Sequence, residues 1–64
     1  MSSVPGEIER IRGPLASLIR RIEDTGKHHE SGVWRQSLYG LYDALDLLGV
    51  AQELADIGHL ELED

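Results

Sequence analysis

The stretch VWRQSLYGLYDALDLLGVAQELADI, residues 33–57, decides the fold of this 64-residue chain. It contains the only tryptophan, both tyrosines and six of the ten leucines, and no proline interrupts it. Apolar residues recur at Trp34, Leu38, Leu41, Leu45 and Leu48. Steps of four and three residues return to one face of an α-helix, so the spacing predicts a helix over 32–48 with that face buried. A second stripe follows. At roughly 100° per residue from Trp34, the residues Tyr39, Leu47, Val50, Leu54 and Ile57 gather between about 140° and 220°. Two readings stay open. Either the helix continues through Gly49 with two apolar faces, or it bends or breaks there and 50–57 forms a short third helix. A glycine costs about 1 kcal/mol inside a helix and does not compel a break.

Working back toward the N-terminus, Ile8, Ile11, Leu15, Leu18 and Ile22 repeat the same steps, and Ile19 widens the stripe. A helix over 5–24 is expected, with Pro5 in the first turn and Glu7 and Glu9 near the positive end of the helix dipole. Gly13-Pro14 lies inside it. Either the helix runs through with a kink at Pro14, or Pro14 begins the helix proper and 6–12 is a separate turn. Gly26 suits a left-handed helix terminus, residues 25–31 read as a polar loop, and Ser31 reads as the N-cap of the second helix. Residues 1–4 read as a flexible leader and 58–64 as an acidic tail. Two helices of similar length on a short loop make an antiparallel hairpin, so the fold class is all-α.

So short a chain rarely gains more than ~3–5 kcal/mol from one core, and small folds usually add disulfides, metals or partner subunits. There is no cysteine. Self-association into a helical bundle, as a homodimer forming a four-helix bundle, is therefore expected. Its residues would be Ile8, Ile11, Leu15, Leu18, Ile22, Trp34, Leu38, Leu41, Leu45 and Leu48, which are also the expected core. The formal net charge is −6, and it is uneven. Residues 1–32 balance five bases against five acids, whereas 33–64 set Arg35 against seven acids. Phosphate contacts dominate nucleic-acid affinity, so such a chain is a poor nucleic-acid binder. No run reaches the ~20 apolar residues of a membrane span, and a cytoplasmic location is expected from the absence of cysteine and of a secretory signal.

Catalytic chemistry is hard to place. Ser17 and Ser37 sit within helix patterns, nothing places either hydroxyl beside a histidine, and the seven glycines form no phosphate loop. Asp43 and Asp46 lie on the expected wet side, where nothing shifts a carboxyl pKa. His28, His29 and His59 are the one set of metal-ligand types, and adjacent loop histidines impose no coordination geometry. The expected function is accordingly non-enzymatic: a protein–protein interaction module, a small accessory or regulatory subunit acting through apolar helix faces as a homo-oligomer. Its partners would be a second copy and another protein, with no cofactor, metal, membrane or small-molecule substrate. Arg35, Tyr39, Leu47, Val50, Leu54 and Ile57 are the candidate partner-binding residues. The alternatives are an acidic nucleic-acid mimic that blocks a basic protein, and a small histidine metal-binding protein.

Overall fold

In the computed structural model, which describes residues 2–62, the elements are β1 (Ser2–Ser3), α1 (Val4–Thr25), α2 (Lys27–Glu30), α3 (Gly32–Ile57) and β2 (Glu61–Leu62). Helices α1 and α3 pack along their lengths as an antiparallel hairpin, a rod of 45 × 16 × 15 Å.

The helix ends are set by local chemistry. Ser3 caps α1, its Oγ accepting the Gly6 N–H at 3.0 Å, and Ser31 caps α3 by accepting the Trp34 N–H at 3.5 Å. Each hydroxyl satisfies one of the donors that a helix start leaves free. Gly26 closes α1 in the left-handed conformation, φ 70°, and its N–H donates to the Glu23 carbonyl. The Thr25 hydroxyl donates to the Ile22 carbonyl at 2.6 Å and accepts the Lys27 N–H at 3.2 Å. That bridge replaces the second backbone bond of the usual glycine-ended terminus. Residues 25–31 are therefore not simply a loop, since Lys27–Glu30 form one helical turn, α2.

Pro14 lies inside an α1 that runs unbroken from Val4 to Thr25. Without an N–H, Pro14 leaves the Arg10 carbonyl without its helical donor. Gly13 makes the position tolerable, because the clash between a proline ring and the preceding Cβ does not arise at glycine. The reading in which Pro14 starts a separate helix is set aside. Helix α3 likewise runs unbroken through Gly49, so 50–57 continues it and is not a separate short helix.

The far end departs further from expectation. Helix α3 stops at Gly58, and His59 takes a left-handed φ of 51°. The His59 N–H donates to the Asp56 carbonyl and the Leu60 N–H to the Ala55 carbonyl, 2.9 Å away. These two bonds form a Schellman terminus that turns the chain back. Ser2 then pairs with Leu62 and Ser3 with Glu61, antiparallel, and the Val4 N–H donates to the Leu60 carbonyl at 3.0 Å. The leader expected at 1–4 is tied down over residues 2–4, and the tail contributes a strand. Glu63 and Asp64 of the acidic tail lie outside the described residues. A left-handed backbone costs a residue with a Cβ about 1–2 kcal/mol. His59→Gly should therefore raise the urea midpoint by the equivalent of about 1 kcal/mol with an unchanged slope.

The seam runs through Ile8, Arg12, Leu15, Ile19 and Ile22 of α1, and through Leu38, Leu41, Leu45, Leu48, Gln52 and Ala55 of α3. Among the described residues only Ile19, Leu38 and Ala55 are buried. The expected core is thus corrected at three places. Ile11 is 56% exposed, Leu18 is partly exposed, and Trp34 stands at the open turn end under the Lys27 ammonium, 5.0 Å from the ring centroid. Their places on the facing line are taken by Arg12 and Ile19 in α1 and, beyond Leu48, by Gln52 and Ala55 in α3. Arg12 passes over Gly49, where a Cβ would stand at an ordinary contact distance of 3.4 Å from its Nη2, and its guanidinium is held across the seam by Gln52.

Candidate functional site

The two sides of the seam differ in chemistry. On one side Arg12 Nη1 donates to Gln52 Oε1 at 2.5 Å, and its Nε is buried without a partner. Ser3, Glu9, Asp46, Glu53 and Asp56 surround it in an open groove of about 680 Å³. Four carboxylates around one half-buried guanidinium give this side a negative field. Further along, the Tyr42 hydroxyl donates to a Glu23 carboxylate oxygen. That bond, with smaller contributions from desolvation and the Glu23 charge, raises the Tyr42 pKa above its ordinary value.

A phenol whose folded pKa is raised contributes stability that is fully present below its unfolded pKa, near 10, and lost as pH rises through the folded value. Tyr42→Phe should remove this alkaline component. Wild type is expected to lose stability more steeply than the variant above about pH 10, measured by urea midpoints across that range. Parallel curves would show that the bond does not persist in solution.

The outer face of α3 is largely apolar and exposed, with Asp43 as its one acid. Tyr39 is 52% accessible and Ile57 76%, with Leu47, Val50 and Leu54 between them. All six partner-binding candidates thus lie along one continuous helix, five of them as exposed apolar or aromatic side chains. The sixth, Arg35, has an internal task as well, since its Nε donates to the His28 carbonyl at 3.1 Å and straps α2 to α3. The self-association candidates divide. Leu38 is buried, Ile8, Leu15, Ile22, Leu41, Leu45 and Leu48 are half-buried in the seam, and Ile11, Leu18 and Trp34 face outward.

The three-histidine site is not formed. His28 and His29 stack at the turn, with ring centroids 4.0 Å apart, whereas His59 lies beyond the opposite end of α3. A 26-residue helix separates them by roughly 39 Å. Among the described residues, no three His, Asp or Glu side chains are grouped to hold a metal ion. Ser17 and Ser37 are exposed. No helix among the described residues is long and apolar enough to cross a membrane. Periodicity pointed away from the inward-facing Arg12, which follows Ile11 on the flank of the α1 stripe. Comparison with protein-family models, curated proteins and solved structures finds no match to this chain.

Proposed function

We propose that this chain is a non-enzymatic protein–protein interaction module, a small accessory or regulatory subunit that works as a homo-oligomer in the cytoplasm. One observation carries the proposal. The outer face of α3 presents Tyr39, Leu47, Val50, Leu54 and Ile57 to solvent along a single helix. A row of large apolar side chains spaced to one helix face is the form in which an amphipathic helix meets a partner, and extended exposed apolar surface marks interaction sites. Tyrosine adds a rigid, amphipathic anchor of the kind enriched in binding hot spots.

The test is affinity purification from the native cell, with wild type compared against Leu54→Lys/Ile57→Lys. Both side chains are mostly exposed, so the variant should keep its helical circular dichroism. A protein retained by wild type and lost with the variant is the expected result. A wild-type chain that stays monomeric by light scattering and retains nothing would sink the proposal.

A second reading rests on the other side of the molecule. Glu9, Asp46, Glu53 and Asp56 lie around one groove, a charge pattern that suits an acidic mimic of nucleic acid. Competition with DNA for a basic protein, weakening steeply as salt rises, would support it. Partner binding indifferent to salt would exclude it.

A further inference from the structure

One long side of the hairpin is almost free of charge. The Arg12–Gln52 and Tyr42–Glu23 bonds mark the opposite, acid-lined side of the seam. At roughly 100° per residue, Ile11 and Leu18 of α1 and Ala44 and Ala51 of α3 fall on the remaining side. Antiparallel helices set these matching flanks together, so the four residues share one face. On this flank α3 carries no charged residue: Arg35, Asp46, Glu53 and Asp56 project to the acid-lined side and Asp43 to the back. Helix α1 contributes Glu7 near its start, where Arg10 pairs with it at 3.3 Å, and Arg21 at the edge.

We infer that this side docks a second copy of the chain, α1 of each hairpin lying on α3 of the other in an all-antiparallel four-helix bundle. The inference rests on the interaction-module reading above and gives its self-association a face and a register. The outline of the hairpin, 45 × 16 Å, sets an upper limit of roughly 700 Å² for this face, just under the ~800 Å² that each partner contributes to a standard interface.

Charge selects the pairing. Helix α3 carries four acids against Arg35, whereas α1 balances four against four. Stacking α1 on α3 keeps the two acidic helices on the diagonal, whereas stacking α1 on α1 would set α3 against α3. Like charges across an interface oppose association.

Register follows from the hairpin itself. Arg12 is level with Gly49 and Gln52, and Glu23 with Tyr42. A two-fold axis parallel to the helices preserves those levels. Ile11 then meets Ala51 of the partner subunit, and Leu18 meets Ala44 of the partner subunit. Large side chains thus oppose small ones, as interdigitated layers require. Arg21, at the edge of the face, comes level with Asp43 of the partner subunit, an opposite charge.

The chain has no cysteine, so single-cysteine variants report the geometry directly. Leu18→Cys mixed with Ala44→Cys should give a covalent heterodimer on oxidation. Preferential bridging of Ile11→Cys with Leu18→Cys would place α1 on α1 and overturn the arrangement. By sedimentation equilibrium, Ala51→Glu should weaken the dimer on the order of 100-fold or more, because it buries an unpaired charge. Ile11→Glu, at a position already exposed in the hairpin, should do the same while keeping its helical spectrum. Ile57→Lys, on the outer face, should leave the dimer intact. Arg21→Glu should weaken association about 2–5-fold, and adding Asp43→Arg should restore it. A wild-type chain monomeric at millimolar concentration overturns this inference and leaves the module reading to stand on partner capture. A dimer that captures nothing supports this inference and leaves the module reading to stand on self-association alone.

Discussion

Leu38→Ala should leave most of the chain unfolded at 25 °C. Leu38 is 2% exposed and is the largest fully buried side chain among the described residues. It sits where α3 crosses the C-terminal half of α1, in a seam only two helices wide. Replacing a buried leucine by alanine costs about 2–5 kcal/mol, the spread depending on how well the site collapses. A single core of this size rarely supplies more than ~3–5 kcal/mol, so the loss is comparable with all that the hairpin's core contributes. The readout is helical circular dichroism with and without urea. A variant that keeps a sharp transition within about 1 kcal/mol of wild type would show that the seam does not carry the fold. Leu54→Ala is the contrast. Leu54 is 63% exposed, and its truncation in the single hairpin should change stability by less than about 0.5 kcal/mol.

Pro14→Ala should act in the opposite direction with comparable size. The proline is exposed and lies well inside α1, where it denies the Arg10 carbonyl its donor and crowds the preceding turn. Alanine restores the bond and the propensity together, a gain of up to about 3 kcal/mol. For a chain this short that corresponds to a rise in Tm on the order of 10–20 °C, measured at one fixed protein concentration because association also shifts Tm. An unchanged Tm would mean that α1 is already interrupted at Pro14 in solution. The two substitutions lie on different helices and share no partner, so their effects should add. Pro14→Ala should therefore recover much of the folding that Leu38→Ala removes.

These predictions separate what was legible in the residues from what was not. The hairpin was legible because its signals are local. A 4-3 apolar step, a serine cap and a left-handed glycine each act within a few residues, and they agree with one another. The pairing of Ser2–Ser3 with Glu61–Leu62 was not legible. Two-residue strands carry no periodicity, and this pair exists only because the Schellman turn at His59 aims the chain end back at the start of α1. The inward rotation of Arg12 was hidden for a similar reason. Counted along α1 alone, Ile11 has the stronger apolar claim. What Arg12 meets, the Gln52 amide oxygen across the seam and the backbone at Gly49, lies on the other helix.

The sequence by itself determined that this chain is an all-α hairpin with two apolar stripes on its second helix, because helix periodicity and capping depend on neighbours in the chain. It also determined the charge division between the halves. Only the tertiary structure decided which residues face inward, that α3 passes Gly49 unbroken, and that acids and apolar residues separate onto opposite sides of the seam. Those outcomes depend on what each residue meets across about 10 Å of interhelical space. No spacing within one helix can encode what the other helix presents there.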